Sequence, residues 1–310
     1  MDSSLGTLIT TTITVSTPPQ FGFWRTVYSH GWCALPPFRV DKKEETLDCV
    51  FSLSDGTLAV ASLRSLGQDK ISATITSQSP FSAPRKKELT QLVRSILRLD
   101  EDFSDFYRHV SRYPDYRWIC RMRVGRLLRA PTVFEDVVKM MCTTNCSWAL
   151  TTTIVTNLTS LLGPAADAGL HGFPAAASIA GQTDAFIRKY LRAGYRAPYL
   201  LELSDRVASG KLDLESWRTS AASTEELFRQ VRGVKGIGEY AAGNILKLLG
   251  RYDYLGLDSW VRGKYSEKYH SGRRVSDTTI ERRYREHGQW RGLIIWLEMT
   301  RDWFTKKFPF

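Results

Sequence analysis

The chain has few cysteines, and none stands where it could do chemistry with another. Cys33, Cys49, Cys120, Cys142 and Cys146 are odd in number, scattered and without a C-x-x-C pair along 310 residues. That argues against a disulfide scaffold and leaves no zinc or iron–sulfur spacing. The expectation is reduced thiols in an intracellular protein, in cytoplasm or nucleoid, or in a nucleus. Histidine is equally sparse: His30, His109, His171, His270 and His287 show no nucleophile or ligand spacing, so no metal site is expected. Missing too is an uninterrupted apolar stretch near the ~20 residues that a bilayer requires. Met1 to Thr12 carries no basic run followed by an apolar core, so the expectation is a protein neither exported nor membrane-spanning. Internal repeats and low-complexity tracts are absent.

What is present is an ordinary globular composition with a basic bias: 43% hydrophobic and 24% charged residues, with 43 Lys+Arg against 32 Asp+Glu and a net charge of +11. A chain of this length encloses a sizeable core without cross-links. The surplus favours an anionic polymer as partner. It is unevenly placed, since Val231 to Phe310 holds 16 Lys+Arg and 9 Asp+Glu, which is +7 of the +11.

The first eighty residues differ in style from the rest. Ile9 to Val15 is β-branched, Thr46 to Leu53 and Thr57 to Leu63 alternate in character, and Asp55-Gly56 between them suits a hairpin turn that needs φ > 0. Ile71 to Thr76 supplies a further strand, and Phe21 to Trp32 with Pro36-Pro37 forms an aromatic connection. From Pro84 the period becomes helical. Lys86 to Leu97 puts Leu89, Val93, Ile96 and Leu97 on one face, and Val133 to Leu158 reads as a long helical run opened by Pro131-Thr132. Further helices are expected over Thr183 to Leu191, Tyr195 to Val207 and Thr224 to Val231. The expected fold class is α+β, a small antiparallel β-sheet domain over residues 1–83 followed by an all-helical domain over 84–310.

The most informative stretch runs from Val231 to Lys264. The helix ending at Val231 enters Gly233-Val234-Lys235-Gly236-Ile237-Gly238, and a second apolar helix, Glu239 to Leu249, follows. Two glycines around one aliphatic residue let the backbone turn sharply while Ile237 anchors the turn. Amide N–H groups of the turn and of the helix start then point outward and can hold a phosphate oxygen. Asp258 follows Tyr240 by 18 residues, after Leu255-Gly256-Leu257 and before Ser259-Trp260-Val261-Arg262, so its carboxylate is placed to cap a new helix while facing the preceding one.

At these residues the sequence resembles the helix-hairpin-helix superfamily of DNA base-excision glycosylases. Gly236-Ile237-Gly238, Ala241-Ala242 and Leu257-Asp258-Ser259-Trp260-Val261-Arg262 match its hairpin and catalytic-aspartate motifs. Phe134 to Val138 with Cys142 to Ser147 looks like its early core helix and lesion-facing turn, and Gln289 to Gly292 like its closing helix. The β-rich leader resembles the TATA-binding-protein-like domain that precedes the helices in 3-methyladenine and 8-oxoguanine DNA glycosylases.

The resemblance implies base flipping from damaged double-stranded DNA, by a monomer, and hydrolysis of an N-glycosidic bond with Asp258 catalytic. It places Gly236, Ile237, Gly238 and Lys235 on the phosphate, Arg262 on the DNA, Tyr240 in the base pocket and Asn145 in the gap left by the flipped base. No cofactor is implied for catalysis, a monovalent cation at the hairpin being the one ion it allows. Members that also cut the strand carry a Lys just after the hairpin; here that position is Tyr240, whose phenol forms no imine, so a monofunctional enzyme without lyase activity is expected.

An aromatic at that position, as in the alkylation-repair members, suits alkylated purines, whereas Asn145 resembles the oxidised-guanine branch. A non-catalytic damage-binding protein and an enzyme acting on a small nucleoside are the other readings. Tyr240 either stacks on the base or packs the hairpin, Asn145 either fills the gap or caps a helix, and Arg126 and Arg129 either contact DNA or form interdomain ion pairs. His30-Gly31-Trp32 either belongs to interdomain core or lines the pocket from the far side.

Overall fold

The computed structural model describes residues 7–67 and 69–310; residues 1–6, the start of the expected amino-terminal domain, and Gln68 lie outside the described residues. Five antiparallel strands, β1 (Ile9–Ser16), β2 (Arg39–Asp41), β3 (Thr46–Ser52), β4 (Leu58–Ser65) and β5 (Lys70–Ser77), pair in the order β1-β5-β4-β3-β2. The β3–β4 hairpin turns at Gly56, whose φ of +83° is the conformation that Asp55-Gly56 foretells. Strand β3 departs from the expected alternation and is buried on both faces. On the outer face Asp48 accepts from Arg39, Thr46 and Ser62 of the flanking chain, and these partners cover it.

Helices follow the sheet, as expected for an α+β chain. The aromatic connection between β1 and β2 itself holds a short helix, α1 (Phe23–Val27). Helix α2 (Ala83–Ile96) lays Leu89, Val93 and Ile96, none of them exposed, into the core; each such side chain contributes roughly 1.5–3 kcal/mol of burial. Then come α3 (Ser104–Ser111), α4 (Arg117–Met122), α5 (Val133–Thr143) and α6 (Trp148–Leu162). The helical run expected over Val133 to Leu158 is thus two helices, parted at the turn that Cys142 to Ser147 resembles. Asn145 takes the left-handed conformation at φ +48°, and Ser147 caps α6 by accepting from the Leu150 N–H, so local side chains stop one helix and start the next.

The rest comprises α7 (Ala176–Ala180), α8 (Asp184–Lys189), α9 (Ala197–Ala208), α10 (Thr224–Arg232), α11 (Glu239–Leu248), α12 (Ser259–His270), α13 (Asp277–Tyr284), α14 (Arg291–Met299) and α15 (Arg301–Thr305). Sheet and helices share one core. Trp32 donates to Asp136 of α5 at 2.7 Å, His30 bonds the Leu128 carbonyl at 2.5 Å, and the Lys139–Glu135 ion pair lies fully buried with the Phe38 ring 4.9 Å from the ammonium. None of the helices among the described residues is long and apolar enough to cross a membrane.

Candidate active site

Helices α10 and α11 form the hairpin. The turn is drawn in by Val234 and Ile237, both buried, and closed by the Ile237 N–H on the Val234 carbonyl at 3.1 Å. Gly236 sits at φ +85°, where a Cβ would press within 2.7 Å of the Tyr199 ring, so only glycine fits there. Gly238 differs: its φ is ordinary and nothing lies within 4 Å of where a Cβ would stand. Its openness faces solvent, beside N–H groups of Gly236, Gly238 and Glu239 that have no hydrogen-bond partner among the described residues. They are donors of the turn and of the helix start, left free on exposed residues.

Ten residues past α11, Asp258 caps α12 with Oδ1 accepting from the Val261 N–H at 2.6 Å. One carboxylate oxygen is held by the cap and the group faces a cavity of about 870 Å³, within the ~300–1,000 Å³ range of small-molecule sites. Tyr240 lines the same cavity. Burial first, and then the charge of Asp258, push its phenol above the ordinary range, so it stays protonated as a donor with an aromatic face. Trp32, Trp148, Trp260, Trp296, Trp303 and Phe310 supply further walls. His30, Gly31 and Trp32 close it from the amino-terminal side, and Gly31 passes so close under Trp148 that a Cβ would stand 2.2 Å from its ring. The aromatic connection is therefore both core and cavity wall.

The remaining expected residues separate by environment. Asn145 lies at the cavity, and its side-chain amide reaches the Tyr195 hydroxyl at 3.4 Å; because Ser147 is the α6 cap, Asn145 has no capping duty. Lys235 is exposed and paired with Glu202 at 2.9 Å. Arg262 directs its guanidinium as a fork onto both oxygens of Asp277, at 2.7 Å each, in an exposed pair like that of Lys235 with Glu202. Lys264 touches the cavity and pairs with Glu267. Arg126 is buried on the carbonyls of Arg98 and Glu101, and Arg129 on Ser95 and Glu101; both are internal braces and not DNA contacts. Cys142 is a core thiol, while Cys146 edges the cavity and bonds the Cys142 carbonyl. Among the described residues no three His, Cys, Asp or Glu side chains converge as a metal site requires.

Reading the sequence missed Lys247 and Asn244, which lie on the cavity from α11. The signal was a single lysine inside the apolar run Ile245-Leu246-Lys247-Leu248-Leu249. It also missed Tyr195 and Arg196, whose side chains meet the Thr144 carbonyl beside Asn145.

The architecture has close counterparts. A 3-methyladenine DNA glycosylase from Archaeoglobus fulgidus superposes with a TM-score of 0.75 at 18% identity, covering 94% of this chain and 99% of that one. The apo 8-oxoguanine glycosylase/lyase of Clostridium acetobutylicum gives 0.72 at 19% identity, covering 94% and 98%. The fold is that of the helix-hairpin-helix DNA glycosylases. In sequence, a protein named "Probable N-glycosylase/DNA lyase" from Methanothermobacter thermautotrophicus is 25% identical over 234 residues, 68% of this chain and 73% of its own length. No protein-family model matches the chain. The shared fold thus extends over nearly the whole molecule, sheet included.

Proposed function

We propose that the protein is a DNA glycosylase that flips a damaged purine out of duplex DNA and hydrolyses its N-glycosidic bond, leaving an abasic site. The observation that carries this reading is the placement of Asp258 and Tyr240 on one aromatic cavity directly behind a hairpin with free N–H donors. Those donors suit a phosphate of the DNA backbone, with Lys235 adding charge, and position the strand without reading sequence. The extruded base enters between aromatic faces. Positive charge then builds on the sugar, and the Asp258 carboxylate stabilises it and orients the attacking water. Tyr240 offers a ring and a neutral hydroxyl but no amine, which supports release by water without strand cutting. Aromatic walls favour electron-poor alkylated purines. No step needs a cofactor, and a monovalent cation is given no role. All five cysteines are free, in keeping with a reducing compartment.

A second reading, removal of oxidised guanine, is favoured by Asn145, held in the left-handed conformation at the cavity edge, where an amide can both donate to and accept from an unpaired base. Duplexes carrying alkylated, oxidised or deaminated bases, incubated with the protein and then split with alkali, decide between the two. Asp258→Asn is expected to lower base release at least about a hundredfold while lesion-DNA binding persists, as for loss of a charge that acts in the transition state. Unchanged release in that variant would remove Asp258 from the mechanism, and a parent that binds lesions but frees no base from any of them would be a damage-binding protein.

A further inference from the structure

The loop from Leu249 to Leu257 delivers Asp258 to the cavity, and its two halves are held differently. Its first half is tied to α14, with the Gly292 N–H donating to the Tyr252 carbonyl at 2.8 Å and the Arg291 guanidinium bonded to the Asp253 carbonyl. In its second half the Tyr254 ring stacks on Phe228 of α10 at 4.0 Å, and the carbonyls of Leu255 and Gly256, next to Asp258, are hydrogen-bonded from α11. Lys247 Nζ donates to the Leu255 carbonyl at 2.7 Å and to Asn244 Oδ1 at 3.0 Å, and Asn244 Nδ2 in turn reaches the Gly256 carbonyl at 3.3 Å and the Tyr240 carbonyl at 2.9 Å. The grip is close. A Cβ on Gly256 would stand 2.7 Å from Lys247 Nζ, and one on Gly243 would stand 2.9 Å from the Gly256 Cα.

An amine is a costly choice for this duty. Lys247 is 2% exposed and forms no ion pair among the described residues, so its amine is buried without a charge partner in contact and is held by the Leu255 carbonyl and Asn244 Oδ1. Burial pushes the amine down to about 7, and Asp258 is the charge that pulls it back up.

We propose that Lys247 is the positioning residue for Asp258: by holding the Leu255 carbonyl, and through Asn244 the Gly256 carbonyl, it sets where the carboxylate stands in the cavity. The inference rests on the glycosylase reading. It assigns Lys247 no contact with the DNA, so its loss acts on the chemical step and spares binding.

The test is Lys247→Met in the full chain, read in three ways. Single-turnover base release is expected to fall about ten- to a hundredfold, the scale of a misplacement near 1 Å. Affinity for duplex carrying a neutral tetrahydrofuran abasic analogue stays within about twofold. The preference for a cationic pyrrolidine analogue over tetrahydrofuran, which reports the carboxylate beside the sugar, shrinks about tenfold, as expected when a charge partner is displaced. The melting temperature changes little, because relief of the buried amine offsets the unpaired Leu255 carbonyl. Asn244→Ala gives the same split in milder form and carries the test should Lys247→Met not fold. Loss of release, analogue binding and melting temperature together would show a merely structural lysine and overturn the proposal, as would unaltered release and pyrrolidine preference. A parent with neither base release nor pyrrolidine preference ends the glycosylase reading and this inference together; a parent with both, matched by the variant, ends the inference alone.

Discussion

At the scale of the residue, the site is governed by which groups can carry charge and which can attack. Tyr240 follows the hairpin and lines the cavity with Asp258, and burial with that neighbouring charge keeps its phenol protonated at neutral pH. The expected outcome is an abasic product that stays uncut until alkali is added, with no covalent protein–DNA adduct on borohydride treatment. Tyr240→Lys places an amine at the mouth of the same cavity and is expected to give weak borohydride trapping that the parent lacks; efficient trapping by the parent would locate a working amine elsewhere, at Lys247 or Lys264. That Asp258 and Tyr240 face one another was legible in the sequence because their spacing is set locally, by one helix and one loop. Lys247 was not, because a lysine in an apolar helix reads as a solvated edge until the packing of the loop onto it is known. The ion pair of Arg262 was hidden for the complementary reason: its partner Asp277 lies on α13, 15 residues further on, and no periodicity links them.

At the scale of the element, the hairpin separates two glycines that look alike in sequence. Gly236 is required by its positive φ and by the Tyr199 ring, so Gly236→Ala is expected to destabilise the fold by about 1–3 kcal/mol. Gly238 meets neither condition, and Gly238→Ala is expected to leave thermal stability within about 0.5 kcal/mol while weakening binding to abasic duplex by crowding the phosphate. Thermal melts and titrations with labelled duplex check both; a Gly238→Ala protein with full affinity would place the phosphate elsewhere. Strands and most helices were readable from period and turn chemistry. The break at Thr144–Ser147 comes from a left-handed Asn145 and a Ser147 cap, which hydropathy does not register and the resemblance at Cys142 to Ser147 did. The double burial of β3 comes from cross-strand partners of Asp48, which alternation does not reveal.

At the scale of the whole molecule, the seam between sheet and helices runs through groups that titrate. His30 lies buried in that seam, on the Leu128 carbonyl and edge-on to Trp32, and burial lowers its imidazole to about 4. The folded state thus holds it neutral while the unfolded chain protonates it near its ordinary 6.5. More protons are bound by the unfolded state between those values, so stability is retained above pH 6.5 and falls as the pH drops towards 4, by about 3 kcal/mol for this one group. Melting temperatures measured across that range are expected to decline, and less steeply in His30→Gln, which keeps a donor to Leu128 and does not titrate. Parallel profiles would mean that the seam is open to water. Because the same segment walls the cavity, acid loosening of the seam and loss of base release are expected over the same interval.

Five of the nine tryptophans, Trp32, Trp148, Trp260, Trp296 and Trp303, stand on the cavity wall. The molecule therefore has an optical signal built into the pocket proposed to receive the base. Entry of a purine between these rings should dim the intrinsic emission, whereas duplex held only at the hairpin should leave it nearly unaltered. Stopped-flow fluorescence on an uncleavable lesion would then resolve docking on the strand from extrusion of the nucleotide, without any added dye. A single-phase signal identical for lesion and undamaged duplex would place the flipped base outside these walls.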